Sequence, residues 1–395
     1  MRAGELRSPQ PGYTLWQLMA YMLGLGTWGF GGPVALVGYM YRDLVEQRQW
    51  ISDADYKEGL TLAQLMPGPL ATQLAIYLGY VHYRVLGATL VGIAFVLPSF
   101  LMVVGIGAAY VTFGGLPWMQ AVFYGVGASV IGIMALSAYK LTTKSAGKDK
   151  LLLAIYLVSA AVTVVTQSEV VWVFLGAGLL VWLLRAPPRQ WGGGGRLHGI
   201  AFAAVPLVGA LASGATDWHR LGQIGAFFAY AGSFVFGSGL AIVPFLYGGV
   251  VKDYGWLTDR QFMDAVAVAM ITPGPVVITT GFIGYLVSGF WGALVAALAT
   301  FLPCYLLAIL PAPYFRKHGK HPGLVAFVDG VTAAAVGAIT GAVIVLGQRS
   351  ITDGVTAGLA LVTAGVLWRF KKLPEPVMVL VAALVGVAVH PLLVK

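Results

Sequence analysis

Apolar runs of about 20 residues follow one another from Thr14 to the far end of the chain, separated only by short polar stretches. A run of that length crosses a hydrocarbon core roughly 30 Å thick. Inside lipid every backbone N–H and C=O must be paired by the protein itself, which leaves helices or a closed barrel. Barrel strands need only about 10 residues each, so runs this long select helices. Charged residues make up 10% of the 395, against roughly 25% in soluble proteins, and no sizeable soluble domain fits in what remains. The expectation is an all-α integral membrane protein.

Thirteen spans are expected, at about 14–41, 58–81, 85–110, 118–139, 151–166, 169–184, 198–216, 222–250, 262–286, 289–311, 323–347, 352–368 and 375–393. The runs at 151–166, 169–184 and 352–368 are short and suit hairpins. With the N-terminus in the cytoplasm, the clusters Lys140–Lys150, Arg185–Arg196, Arg316–Lys320 and Arg369–Lys372 all fall inside, as the positive-inside rule requires. The loop after the first span is net acidic and fits the outside. The net charge of +9 therefore reads as orientation, not as a nucleic-acid surface. The polar stretch Met1–Tyr13 has no signal-peptide pattern, so the first run stays as a span in the plasma (inner) membrane. The single cysteine, Cys304, excludes an intramolecular disulfide.

The chain is duplicated. Pro67-Gly68-Pro69 recurs as Pro273-Gly274-Pro275, an offset of 206 (273 − 67). At that offset Phe30, Gly31, Ala35, Trp50 and Asp53 meet Phe236, Gly237, Ala241, Trp256 and Asp259. One residue is then lost, and at 205 (303 − 98) Gly79, Tyr80, Gly87, Pro98, Gly125 and Gly132 meet Gly284, Tyr285, Gly292, Pro303, Gly330 and Gly337. The expected organisation is a repeat over 1–190, a Gly-rich linker with a connecting helix over 191–220, and a second repeat over 221–395. Seven spans separate equivalent points. Seven is odd, so the repeats run in opposite directions, the inverted-repeat plan of many secondary transporters.

Proline removes a helical donor and clashes with the preceding turn, so Pro-Gly-Pro interrupts its span. A second pair of interruptions stands at Phe30-Gly31-Gly32-Pro33 and Gly237-Ser238-Gly239. Interrupted backbone at membrane depth is tolerated only under protein or around a wet cavity. Each break aims a half-helix N-terminus, with unpaired amides and roughly half a positive charge, at one midplane region, which favours an anion. Gln64, Thr72, Gln73, Ser238, Thr272 and Thr279 flank the breaks and can bond substrate oxygens. Single breaks of this kind often do no more than kink a packed helix. Four breaks in two symmetric pairs point to a site.

Phe30-Gly31-Gly32-Pro33, Glu46, Trp50, Gln64 with Pro67-Gly68-Pro69, Gly79-Tyr80 and Pro98-Ser99-Phe100 resemble the chromate ion transporter family, in its long two-half form. The resemblance covers nearly the whole chain. It implies efflux of chromate from the cytoplasm, driven by the proton gradient and conferring chromate resistance, with sulfate as competitor or exchange partner. The second half departs from the motif, with Gly239 for Pro33 and Met270 for Gln64, so the first half is weighted more heavily for substrate contact. The site expected is Phe30, Gly31, Gly32, Pro33, Gln64, Pro67, Gly68, Pro69 and Thr72, with Gly237, Ser238, Gly239, Thr272, Pro273, Gly274 and Pro275.

Arg42, Glu46, Arg48, Glu58 and Asp264 lie near the ends of the broken runs and read either as solvated helix ends or as gates and proton carriers. Glu58 and Asp264 are equivalents (58 + 206 = 264) and the best acids for proton coupling. Nothing offers a nucleophile–base pair, a phosphate loop or a metal-ligand cluster, so neither enzyme chemistry nor a cofactor is expected. Faces rich in small residues suit a homodimer. A channel or exchanger for another anion such as sulfate, and a membrane-embedded enzyme acting on lipid-linked substrates, are the competing readings. The sparse charges weigh against the enzyme.

Overall fold

The computed structural model describes residues 12–30, 32–113, 117–145, 147, 149–167, 170–187, 218–235, 239, 242–313, 322–370 and 373–393. Among these the secondary structure is helical. The first half gives α1 (Leu15–Trp28), α2 (Gly32–Met40) running on into a π-helical turn (Tyr41–Gln47), α3 (Asp53–Leu65), α4 (Leu70–Phe113), α5 (Pro117–Ser145), α6 (Lys150–Thr166) and α7 (Val171–Arg185). The second gives α8 (Trp218–Gly232), α9 (Ile242–Tyr247) with its own π-helical turn (Gly248–Asp253), α10 (Asp259–Ile271), α11 (Thr279–Ile309), α12 (Pro322–Ser350), α13 (Gly354–Arg369) and α14 (Glu375–Leu393). The repeat legible in the sequence is thus a repeat of elements, down to the π turns. The expected connecting span at 198–216 lies outside the described residues.

The breaks stand where glycine and proline put them, but the chain turns back at each. Thr14 caps α1 with Gln17 in a capping box, and the helix ends at Gly29 in extended conformation. If α2 continued α1, Tyr13 and Leu44 would lie about 45 Å apart. Instead Tyr13 stacks on Trp50 at 5.1 Å between ring centroids, and the Tyr21 hydroxyl donates to Asp43. Helices α1 and α2 therefore form a re-entrant hairpin. So do α3 and the first arm of α4, since Tyr77 donates to Glu58 at 2.7 Å across the Pro-Gly-Pro tip. Both hairpins open on one face, where Tyr13 also meets His82 and accepts a bond from Tyr83. In the second half Phe227 on α8 packs edge-on to Trp256, the equivalent of Trp50. Helices α1 and α3 are 14 and 13 residues long, about 20 Å, which is short of a full crossing.

The runs at 14–41, 58–81, 222–250 and 262–286 are therefore paired arms that enter and return, not single crossings as expected. One consequence is local: the loop between α2 and α3 lies on the same face as the start of α1, not the opposite face. Another is neutral. Two returning hairpins per half subtract an even number of crossings, so the opposed orientation of the repeats stands.

The crossings themselves are made by the long second arm of α4, by α5, and by their mates in α11 and α12. Helix α4 reverses at Arg84 (φ 54°) and α11 at Ser288–Gly289, so that Gly79 lies against Gly87 and Gly284 against Gly292. At the far end of α4, Tyr110 donates to Asp264 of α10. The second-half hairpins thus open on the opposite face from the first-half pair.

The halves are interlocked by exchange. Helix α5 packs on α13 and α14 of the other half, and α12 packs on α6 and α7. The contacts come in pairs. A Cβ at Gly125 would overlap the Ala382 carbonyl, and one at Gly330 the Ala177 carbonyl, with 125 + 205 = 330 and 177 + 205 = 382. Such reciprocity is the mark of a two-fold relation. The exposed apolar face of α4 (Leu86, Ile93, Leu97, Leu101) and that of α11 (Trp291, Leu298, Leu302, Leu306) recur at helical spacing and face lipid.

Candidate functional site

The tips of the hairpins from opposite faces meet, and their broken backbones complete one another. The Gly68 amide donates to the Val235 carbonyl at 2.5 Å, and the Gly274 amide donates to the Gly29 carbonyl at 3.0 Å. Adding 206 to 68 and 29 gives 274 and 235, so the two bonds are one contact made twice. Groups that would be costly to leave unpaired at this depth are thereby satisfied.

Two glycines make the contact possible. Gly68 (φ +144°) and Gly274 (φ +95°) hold conformations that a side chain resists. They also lack room. A Cβ at Gly68 would strike the Gln73 carboxamide and lie 2.6 Å from Cys304 Cβ, and a Cβ at Gly274 would overlap Ser99 Oγ. Ser99 and Cys304 are equivalents (99 + 205 = 304) on the long arms, each behind its helix proline. Ser99 Oγ donates to the Pro273 carbonyl at 2.8 Å and so holds the second-half tip.

Helix α4 starts at Leu70, beyond Pro69, and its first turn presents amides with no partner inside the helix. Thr72 and Gln73 in that turn are fully buried. The Gln73 carboxamide folds back so that Nε2 donates to the Pro67 carbonyl, while Gln73 Oε1 and Thr72 Oγ1 have no partner among the described residues. In the second half Thr272, Thr279 and Thr280 donate to carbonyls of their own turns. Between the first-half tip (Gly29, Phe30, Gly32) and the second-half tip (Met270 of α10, Thr272, Gly274) lies a cavity of about 20 Å³, lined also by Glu375 at the start of α14. That is room for about one water molecule.

Of the expected site residues, Phe30, Gly32, Pro67, Gly68, Pro69, Thr72, Thr272, Pro273, Gly274 and Pro275 stand at or beside the joined tips, and Pro33 is the second residue of α2. Gly239 is buried against Val276 of the neighbouring tip. Gln64 is exposed on the last turn of α3. Gly31, Gly237 and Ser238 lie outside the described residues. The charged set sits farther out. Arg42 pairs with Asp43, Arg48 lies 4.7 Å over the Trp50 ring, and Glu46 is exposed, all at the hairpin mouth. Glu58 and Asp264 each accept from a tyrosine of α4, Tyr77 and Tyr110, and Asp264 is only 5% exposed. Among the described residues no three His, Cys, Asp or Glu gather as metal ligands.

Comparison with known proteins puts these features in one family. The sequence profile described as Chromate transporter matches residues 16–182 and 222–387, one match per half, each running from the first hairpin to the last helix of its repeat. The chain belongs to the chromate transporter family. Within that family it is 71% identical, over 97% of its length and 95% of the relative's, to a chromate transport protein of Cupriavidus metallidurans. It is 63% identical to a probable chromate transport protein of Synechococcus elongatus, over 95% of this chain and 96% of that one. A chromate transport protein of Pseudomonas aeruginosa is 30% identical over 95% of this chain and 92% of its own. These relatives are named as transport proteins, not enzymes. No solved structure matches the chain.

Sequence reasoning missed Ser99 and Cys304 as supports of the tips, the two tyrosines on Glu58 and Asp264, and Glu375. The first had a signal: Pro98-Ser99 and Pro303-Cys304 occupy equivalent positions behind the breaks. A lone acid between Pro374 and Pro376 gave none.

Proposed function

We propose that this chain is a secondary transporter that exports chromate from the cytoplasm across the inner membrane and so confers chromate resistance. The observation that carries the proposal is the pair of crossed amide–carbonyl bonds joining hairpins that open on opposite faces. A tetrahedral oxyanion binds at this junction, taken by first-turn amides of α4 and α2 with Thr72 and the glycine–proline tips around it. Freeing the hairpins of one half opens the junction to one face, and freeing those of the other half opens it to the opposite face, which is alternating access about a fixed site.

The N-terminus is cytoplasmic in this proposal, because Lys140, Arg185 and Arg369 then share the inner face. The proton-motive force drives export, with Glu58 and Asp264 as the proton carriers, Tyr77 holding Glu58 within its hairpin and Tyr110 holding Asp264 against the long arm of α4. Arg42, Glu46 and Arg48 gather and release ions at the cytoplasmic mouth. Sulfate, of the same shape and charge, is the competing cargo, and a pair of chains is the assembly to test alongside.

Everted vesicles energised with a proton gradient should accumulate labelled chromate, and a protonophore should abolish the uptake. Vesicles with an intact gradient that take up none would overturn the proposal. Counterflow with labelled sulfate separates an exchanger from a chromate exporter.

A further inference from the structure

We infer that the junction selects the tetrahedral oxyanion in its singly protonated form, hydrogen chromate, through the paired acceptor and donor of Gln73 and Thr72. The inference rests on the proposal above and narrows its cargo. Pro67 offers Gln73 only a carbonyl oxygen, so the carboxamide must turn its nitrogen toward it. That orientation is therefore set by chemistry, and Oε1 is left as a buried acceptor beside Gly68. An unmet acceptor is costly in a dry site and is met only by a donor. A fully ionised oxyanion has none. Its oxygens suit the α4 amides and the Thr72 hydroxyl, which also lacks a partner, but they would repel Gln73 Oε1. An oxyanion bearing one hydroxyl satisfies both at once, O–H to Gln73 and O⁻ to Thr72 and the amides.

Chromate takes up its first proton near neutral pH, whereas sulfate, selenate and molybdate stay fully ionised there. The site thereby separates chromate from abundant sulfate by a proton instead of by size. A site built to pair a hydroxyl rejects an analogue without one far more strongly than a shape filter can. Among the described residues the titratable groups on this arm are Tyr77, Tyr80, His82 and Tyr83, and those facing it include Glu58 on α3, Tyr13 ahead of α1 and Cys304 on α11.

The test is initial chromate uptake into proteoliposomes at fixed total chromate, from one pH unit below to one above the chromate–hydrogen chromate midpoint. Uptake should fall roughly tenfold, following the monoanion, and sulfate, selenate or molybdate in equal amount should inhibit weakly. Thr72→Val, which leaves the Gln73–Pro67 bond in place, should raise the half-saturation for chromate about five- to tenfold. Gln73→Met should flatten the pH profile and erase the preference over sulfate. Uptake that follows total chromate, or equal inhibition by sulfate, would overturn the inference while leaving chromate transport intact. No uptake of any oxyanion would overturn both.

Discussion

Replacing Gly68 by alanine tests whether the tip junction is what transport depends on. At φ +144° the backbone lies where only glycine is at ease, and a side chain there costs about 1–3 kcal/mol. The new Cβ would also meet the Gln73 carboxamide and Cys304 Cβ, and relief by shifting neighbours adds about 1–3 kcal/mol. Moving the tip loosens the amide bond to Val235, about another 1 kcal/mol. The sum is about 3–7 kcal/mol, all of it charged to the joined state. A change of about 5.5 kcal/mol takes a two-state equilibrium from 99:1 to 1:99, so within this range the joined state loses its majority. Chromate uptake into proteoliposomes should fall at least about twofold, and about a hundredfold or more at the larger costs, with the purified protein still monodisperse, because the interlocked helices α5 to α7 and α12 to α14 are untouched. Gly255→Ala is the control. It too has a positive φ (+59°), but nothing lies within 4 Å of its Cβ and it sits at a mouth. It should cost about 1 kcal/mol of stability and leave uptake alone. Wild-type uptake by Gly68→Ala would refute the reasoning.

Ser99→Ala leaves the Pro273 carbonyl without its donor in a buried site and should destabilise the protein by about 1–3 kcal/mol, read as a fall in thermal midpoint. Cysteines introduced one at a time in a Cys304→Ser background report the re-entrant topology: Ser52→Cys and Gly147→Cys should label from the same face, and Gly255→Cys from the other. Labelling of Ser52→Cys from the face opposite to Gly147→Cys would mean that the first run crosses after all. Asp353 caps α13, and its carboxyl is held below the ordinary range by the Tyr124 hydroxyl first and by the Thr356 amide. A carboxyl depressed on folding adds stability above its unfolded pKa and loses it as the pH falls. Asp353→Ala should therefore cost about 1 kcal/mol at neutral pH and little in acid, measured by thermal melts at both.

The duplication, the four breaks and the opposed repeats were legible in the sequence, and the reversal at each break was not. Proline and glycine tell where a helix stops and are silent on where the chain goes next. The direction is decided by contacts from elsewhere: Trp50 against Tyr13, and Tyr77 against Glu58. Charge patterning could not expose the difference either. A pair of crossings and a pair of hairpins both return the chain to its starting face, so the basic clusters from Lys140 onward keep their side in either case. Only the loop between α2 and α3 and its mate between α9 and α10 change face, and the mixture of Arg42, Arg48 and Lys57 with Asp43, Glu46, Asp53 and Asp55 in the first, like that of Lys252 and Arg260 with Asp253 and Asp259 in the second, gives the positive-inside rule little to act on. Parity alone thus secured the inverted orientation, because subtracting an even number from seven leaves it odd.

The same limit applies to the site, with one instructive difference. The expectation of unpaired amides at every break holds for a helix taken alone, whereas two of those amides, at Gly68 and Gly274, are used to join the halves. A pair of breaks is therefore a latch and, in the proposed transporter, also the binding site, and which amide serves which purpose depends on geometry between residues some 200 positions apart. The sequence does carry the asymmetry that follows. Equivalent positions hold Gln64 and Met270, Gln73 and Thr279, and Val170 and Glu375, so the two tips share a backbone but not a chemistry. Thr279 closes onto its own turn, while Gln73 reaches across the break and leaves an acceptor open. A symmetric scaffold with one polar tip can recognise a cargo from one half and use the other as the moving wall. In the proposed transporter, that division of labour would place the residues that tell one oxyanion from another in the first-half motif, not the second.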